Sequence, residues 1–142
     1  MRGRPGTFAW LNNNPGNIMG PQPNYGQYPN KSNWHNFLIF PTPEVGFDAI
    51  GKYLRGDLYR NLSITAAFHR YAPASDGNRP DVYAADVAAA AGVSVSTLVG
   101  DLDEGQMLKM QNKIREIEGV IAGSTLTRDD PNLPAAVRAA LA

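Results

Sequence analysis

The sequence predicts a mainly α domain of α+β type with a small β element. Helical periodicity, with recognisable start and stop residues, recurs from residue 42 onward. Residues 1–35 instead concentrate Gly, Pro and Asn, yet they carry large aromatic side chains that favour an ordered loop over a disordered tail. Between these parts, residues 36–40 form an apolar and aromatic run that Pro41 ends, which predicts a strand.

Two helices are predicted directly after the strand. Thr42 has the position of an N-cap, and Pro43 stands at the first helical position, where its missing N–H costs nothing. Apolar residues then recur at helical spacing to about residue 58. The second helix begins after Ser63, reaches His69 or Tyr71, and stops before Pro73.

Three further helices are predicted in the second half of the chain. An Ala-rich helix spans about residues 80–91 and ends at Gly92, and Ser94 begins a short helix to about residue 99. The last helix starts at Asp101 or Asp103, runs to about residue 122, and is ended by Gly123. Residues 1–123 are therefore predicted to form one domain, and residues 124–142 a linker with a short C-terminal helix or tail.

Composition excludes several classes of function. The 142 residues include no Cys and only two His, which excludes a thiol nucleophile and a Cys zinc site and argues against a His-rich metal site. We therefore expect neither a metal nor another cofactor. Equal numbers of Lys+Arg and Asp+Glu, 13 each, argue against a nucleic-acid-binding surface. No run predicts a membrane span, and no apolar segment follows the basic N-terminus as it would in a signal peptide.

One glutamate stands out in the last predicted helix. At about 100° per residue, five apolar side chains fall in one narrow arc: Met107, Met110, Ile114, Ile117 and Ile121. Glu116 lies roughly 140° from the centre of that arc, and Glu118 only about 60°. Glu118 is thus an acid near the core, and a partly desolvated glutamate suits proton donation to a glycosidic oxygen. The alternative is a packed stem with the carboxylate in water.

The N-terminal loop mixes amides with aromatic rings. Aromatic faces cover pyranose rings while amides bond hydroxyl and N-acetyl groups, so this mixture is typical of sugar-binding sites. The alternative is turn-forming Asn residues and hydrophobic plugs. The residues concerned are Asn12, Asn13, Asn14, Asn17, Asn24, Trp10, Tyr25, Tyr28 and Trp34.

A competing motif occupies residues 86–99. Its Ala, Gly and Val spacing looks like the helix-turn-helix of LacI-type repressors. The second helix carries Ser94, Ser96 and Thr97 but no Arg, Lys, Asn or Gln to bond bases, and acidic residues follow it. A helix-turn-helix used as packing scaffold is the better interpretation, and DNA binding is the lesser alternative.

Three segments together resemble a known family. Residues 11–18 (Leu-Asn-Asn-Asn-Pro-Gly-Asn-Ile), residues 37–50, and residues 70–73 with Asn78 and Tyr83 are similar to phage and bacterial peptidoglycan hydrolases of the lysozyme-like superfamily. These are the "N-N-P-G-N-I" domains of virion-associated lysozymes and lytic transglycosylases. The resemblance covers about residues 8–122 and implies a lysozyme-like helical domain.

The resemblance implies cleavage of the β-1,4 bond between N-acetylmuramic acid and N-acetylglucosamine. The family's acid falls on Glu118 as the general acid. Because Ile117 stands where the family usually has His, Glu116 remains the second candidate. The expected substrate-binding residues are Asn14, Asn17, Tyr25, Tyr71, Asn78 and Tyr83.

The order of elements suggests a circular permutation of the lysozyme core, because the acidic helix comes last and residues 14–17 come first. The expected partner is the glycan strand of peptidoglycan, in the bacterial periplasm or cell wall. Virion carriage, injection and holin-dependent release all fit the missing signal peptide, as does a place within a larger virion or effector protein. The leading alternative is a catalytically inactive cell-wall-binding or structural virion module.

Overall fold

The computed structural model describes residues 8–29, 31–32 and 36–119. Its architecture is mainly helical with a small β element, as predicted. The predicted boundary at residue 123 and the tail over 124–142 lie outside the described residues, as does Trp34. The helices of the described part are α1 (Phe8–Leu11), α2 (Pro43–Leu54), α3 (Ile64–Tyr71), α4 (Pro80–Ala91) and α5 (Glu104–Ile117).

The caps predicted for α2 and α3 are confirmed. The Thr42 side chain accepts a hydrogen bond from Val45 N, and the Ser63 side chain accepts one from Ala66 N. Helix α2 nevertheless ends at Leu54 and not near residue 58. The chain turns there, with Gly56 N donating to Tyr53 O at 3.1 Å.

Helix α4 has the predicted bounds, and Gly92 ends it with φ +73°. The short helix predicted after Ser94 is wrong. The backbone of residues 95–99 pairs instead with residues 62–65, through Ile64 N to Thr97 O and Val99 N to Leu62 O, both at 2.9 Å. Those bonds use groups that a helix would need for itself. The second helix of the helix-turn-helix interpretation is therefore missing from residues 94–99, although Val99–Asp101 makes a 3₁₀ turn.

Of the two predicted N-caps, Asp101 and Asp103, the second begins helix α5, and the helix ends before its predicted last residue. Asp103 is the N-cap, and it forms a capping box with Gln106. The prediction that the helix continues to about residue 122 is wrong, because it ends at Ile117. Gly119 adopts φ +69°, the left-handed conformation that stops a helix, so the terminating glycine is Gly119 and not Gly123.

The β element consists of isolated bridges where a strand was predicted over residues 36–40. Met19 pairs with Phe37, and Ser32 pairs with Leu38, both antiparallel. The backbone of residues 12–20 lies alongside, with Leu38 N donating to Ile18 O at 2.9 Å and Phe40 N to Asn12 O at 2.8 Å. The N-terminal loop is thereby joined to the segment that leads into α2.

The core lies where the helices and this loop meet. Helix α4 packs against α3 and α5, and α2 packs against α5. Each large apolar side chain buried there contributes roughly 1.5–3 kcal/mol to stability. The largest buried side chains include Tyr59, Phe40, Phe68, Ile18, Ile50, Leu54, Ile64, Met110 and Ile114.

One glycine sets how closely the loop approaches α2. A Cβ placed on Gly46 would lie 1.7 Å from Asn13 O, a backbone atom. No side chain fits at this position without moving the loop away from the helix. Gly46 therefore fixes the contact between α2 and the segment that carries residues 12–18.

We predict that Gly46→Ala is strongly destabilising, by about 3 kcal/mol or more, because the added methyl forces backbone apart. Gly105→Ala is the matched control, since its Cβ would meet only Asp103 Oδ1 at 3.5 Å. That change should be neutral or stabilising by up to about 1 kcal/mol. Urea unfolding of both variants measures this, and a parent-like Gly46→Ala would contradict the close approach.

Candidate active site

Glu118 lies at the C-terminal end of α5, half-buried. It is the C-cap residue, and its backbone N donates to Ile114 O at 2.8 Å. Ile114 is fully buried, so the end of the helix is anchored in the core. The Glu118 side chain is thus placed by a rigid element, as a reacting group requires.

Two neutral groups hold the Glu118 carboxylate. Asn17 Nδ2 donates to Oε2 at 3.3 Å, and the Tyr83 hydroxyl donates to Oε1 at 3.4 Å. Asn17 belongs to the N-terminal loop and Tyr83 to α4. The fold therefore brings together three residues predicted for the site from separate parts of the sequence.

Burial raises the pKa of Glu118 above the ordinary value of 4.5, and the hydrogen bonds from Asn17 and Tyr83 oppose this rise. Within the described ranges, no Lys, Arg or His forms an ion pair with this carboxylate. The proton-bearing form of Glu118 is consequently favoured over a wider pH range than in an exposed glutamate. This is the condition that a general acid needs.

The buried side chain of Asn14 fixes the loop that carries Asn17, through hydrogen bonds to the loop backbone. Asn14 is 0% exposed, and its Nδ2 donates to Ile18 O at 2.9 Å and Leu38 O at 3.0 Å. Its Oδ1 accepts from Ile18 N at 2.9 Å. The side chain is buried and these three bonds all lie inside the protein, which favours a structural role for Asn14 over the predicted contact with substrate.

Asn17 itself adopts φ +48°, a left-handed conformation that asparagine tolerates better than most residues. This conformation turns its side chain toward α5, where it meets Glu118. Asn13 also has a positive φ, and its amide donates to Phe40 O at 2.9 Å. The alternative interpretation of turn-forming asparagines thus fits Asn13 and Asn14, whereas Asn17 faces the acid.

Tyr71 fastens the loop to α3. Its hydroxyl donates to Gly16 O at 2.5 Å, and a Cβ on Gly16 would lie 2.6 Å from that hydroxyl. Burial raises the pKa of Tyr71, and the Glu118 charge nearby raises it further. Tyr71 therefore lies near Glu118 and stays protonated, and its hydroxyl bonds the loop backbone.

A row of aromatic rings begins at Tyr83, whose hydroxyl bonds Glu118. Phe68 stacks on Tyr83 at 5.0 Å, Tyr71 lies 6.1 Å from Tyr83, and Tyr53 lies 5.9 Å from Tyr71. Tyr25 meets the edge of Tyr53 at 6.1 Å. Tyr53 is not predicted for the site from sequence, because it occupies an apolar position of α2 and its helical spacing is that of a core residue.

A groove of about 320 Å³ lies at the far end of this aromatic row. Tyr25 and Tyr53 form its aromatic part, and Gln22 and Asp57 supply polar groups. Asp57 also pairs with Arg60 at 2.8 Å. The predicted residue Tyr25 is thus placed in this groove and not against Glu118.

The remaining predicted residues lie elsewhere. Glu116 is on the solvent side of α5, with its side chain 71% exposed and paired to Lys113 at 3.1 Å. Asn78 is in an exposed loop, where its Nδ2 donates to Pro73 O at 3.4 Å. Ile117, placed in the apolar arc from the sequence, is 36% exposed. Glu118 is accordingly the better placed of the two candidate acids.

Other kinds of site are not evident in the described ranges. No three His, Asp or Glu residues there lie together as metal ligands would. None of the helices described is both long and apolar enough to cross a bilayer.

We predict that Glu118→Gln stabilises the protein at pH 7. A folded-state pKa above the unfolded one means that stability is lost as pH rises from about 4.5 through the folded pKa. The uncharged variant escapes this loss, so its Tm should exceed that of the parent at pH 7 and approach it below pH 4.5.

Glu116→Gln is the control for this measurement, because Glu116 is exposed. Its effect on the free energy of unfolding should stay within about 0.5 kcal/mol at every pH. Calorimetry of the parent and both variants at several pH values measures these differences in Tm. A Glu118→Gln protein less stable than the parent at pH 7 would show that the carboxylate is not desolvated.

Comparison of the chain with models of known protein families and with curated proteins finds no match. The resemblance to lysozyme-like hydrolases therefore consists of residues 11–18, 37–50 and 70–73 with Asn78 and Tyr83.

Proposed function

We propose that the protein is a peptidoglycan glycosidase that cleaves the β-1,4 bond between N-acetylmuramic acid and N-acetylglucosamine. The single observation that carries this proposal is the half-buried Glu118 carboxyl, raised in pKa and held by Asn17 and Tyr83. The resemblance of residues 11–18, 37–50 and 70–73 to lysozyme-like hydrolases supports the choice of substrate.

Glu118 is the general acid in this proposal. Its O–H bond breaks as the proton passes to the glycosidic oxygen, and the bond between that oxygen and the sugar carbon breaks as the ring gains oxocarbenium character. The resulting carboxylate accepts hydrogen bonds from Asn17 and Tyr83. These two donors oppose the desolvation penalty of the charge that the step leaves behind.

The second half of the reaction has two outcomes. Among the described residues, no second carboxylate is hydrogen-bonded to Glu118 or to its two partners. Attack by water gives a reducing sugar, whereas attack by the 6-hydroxyl of N-acetylmuramic acid gives a 1,6-anhydro sugar. In both cases the Glu118 carboxylate can take up the proton that the attacking hydroxyl releases.

The groove beside Tyr25 and Tyr53 supports binding of a glycan chain. Aromatic faces cover sugar rings and amide or carboxylate groups bond their hydroxyls, and both types of group line this groove. Its volume of about 320 Å³ suits a small ligand such as one or two rings. We place this groove, and the exposed Asn78, in contact with parts of the strand away from the cleaved bond.

A catalytically inactive cell-wall-binding or structural virion module is the second candidate. The lack of a second carboxylate at Glu118 in the described part favours it, because binding needs only one polar anchor. Both candidates act in the bacterial periplasm or cell wall, carried there by a virion, by injection or by release. We do not propose DNA binding, because residues 94–99 do not form the recognition helix that a helix-turn-helix requires.

We predict that the protein releases disaccharide-containing muropeptides from purified Gram-negative peptidoglycan and that Glu118→Gln lowers the rate by about 10²–10⁴-fold, the usual contribution of a general acid. Glu116→Gln, the matched change on the exposed side of α5, should retain parental activity. Turbidity clearing gives the rate, and muropeptide masses separate reducing from anhydro products.

Glycan binding without turnover by the parent would support the binding module instead. Undiminished activity of Glu118→Gln would remove Glu118 from the reaction. Loss of activity in Glu116→Gln alone would move the acid to Glu116.

We predict that activity falls as pH rises through the pKa of Glu118, because only the protonated acid can donate. This descending limb lies above 4.5, and Tyr83→Phe should move it to higher pH, since it removes a hydrogen bond that lowers the Glu118 pKa. Tyr28→Phe, at an exposed ring, is the control. A Tyr83→Phe limb at lower pH would contradict the assigned contact.

A further inference from the structure

One polar atom of the site has no hydrogen-bond partner among the described residues. Asn17 Oδ1 is buried and unpaired, although Asn17 Nδ2 donates to Glu118 Oε2 at 3.3 Å. A buried acceptor without a donor costs about 1–3 kcal/mol. In this orientation Asn17 Nδ2 is satisfied by the ionised carboxylate, whereas Asn17 Oδ1 is left without a donor.

The two ends of an asparagine amide have nearly the same shape but opposite hydrogen-bonding character. Rotation about the terminal side-chain torsion is broad and roughly two-fold, so a half-turn exchanges them. After that half-turn, Oδ1 would take the place of Nδ2 opposite Glu118 Oε2. A protonated Glu118 offers the hydroxyl donor that this acceptor lacks in the present orientation.

The other groups facing Glu118 permit the same exchange. Among the residues that the structure describes, the titratable groups beside the carboxyl are Tyr83 from α4 and Tyr71 from α3. Burial raises the pKa of both phenols, so each stays a hydroxyl. The Tyr83 hydroxyl can donate to a carboxylate or accept from a carboxylic acid. In the described part, no cation is paired with Glu118 to favour one protonation state.

We propose that Asn17 is a positioning residue whose amide turns with the protonation state of Glu118, giving Nδ2 to the carboxylate and Oδ1 to the acid. The same side chain then holds Oε2 in place before and after proton transfer. Asn14 and Tyr71 keep the loop still while only the Asn17 side chain rotates, because they bond the backbone at Ile18 and Gly16. The role in turnover depends on the proposed glycosidase function, whereas the rotation itself does not.

The direct test is an NMR titration of the parent protein with no ligand. Nuclear Overhauser contacts between the Asn17 amide protons and the Glu118 γ-methylene report which end of the amide faces the carboxyl. We expect these contacts to weaken several-fold as pH falls through the Glu118 midpoint, with the Asn17 amide shifts following the same midpoint. Contacts of constant strength across the titration would overturn the proposal.

Variants test the consequence for turnover. Asn17→Gly removes the amide while tolerating the left-handed backbone, and Asn36→Gly is the matched control at an exposed asparagine with φ +66°. Asn17→Gly should lower kcat about tenfold or more with little change in KM, since the hydrogen bond to the charged group is lost. Asn36→Gly should retain the parental kcat.

A parental kcat in Asn17→Gly would overturn the positioning role. Asn17→Asp is a second variant of nearly the same shape that replaces the amide donor with a carboxylate, and both the lost hydrogen bond and the added negative charge should move the Glu118 midpoint to higher pH. An unmoved midpoint there would also count against the contact. If the parent does not degrade peptidoglycan, the proposed function fails, while the titration still decides whether the amide turns.

Discussion

The site depends on the buried amide of Asn14. This side chain holds Ile18 by both its N–H and its carbonyl and also holds Leu38 O, so it closes the loop and joins it to the β element. The loop can then place Asn17 in a left-handed conformation against the last turn of α5, 101 residues away along the chain. Gly46 and Gly16 allow the close approach, since a Cβ at either position would collide with Asn13 O or the Tyr71 hydroxyl. A fully buried asparagine thus determines where Glu118 meets its hydrogen-bond partners.

Within the part of the chain that the structure describes, Glu118 is bonded only by neutral side chains, and this decides what the carboxyl can do. A guanidinium or ammonium beside it would lower its pKa and keep it ionised. Amide and hydroxyl partners at 3.3 and 3.4 Å only partly offset burial, so the proton is retained more strongly than in solvent. A carboxylate of this kind lowers the stability of the folded protein when it is ionised. Destabilising groups of this kind are common in functional sites. The exposed pairs elsewhere, such as Lys113 with Glu116, show the opposite arrangement and carry no such cost.

Much of this arrangement follows from local rules of sequence. The bounds of α3 and α4 are predictable because Ser63, Pro80 and Gly92 act through their own backbone preferences. Helical periodicity separates Glu118 from Glu116 because a wheel reports direction relative to the core. The helix after Ser94 could not be excluded in this way, because its backbone bonds go to residues 62–65, a tertiary pairing. Sequence also does not distinguish Asn14 from Asn17, because only the folded loop determines which asparagine points inward and which faces Glu118. Tyr53 was missed for the related reason that a phenol on an apolar face has the periodicity of any core residue.

The central claim is that Glu118 is a desolvated acid held by neutral partners. The measurement that tests it most directly is the pKa of Glu118 in the folded protein, followed through the side-chain carboxyl carbon by NMR. We expect Glu118 to titrate above the ordinary value of 4.5. A Glu118 that titrates at or below 4.5 would mean that the carboxylate is solvated and would contradict the proposed role.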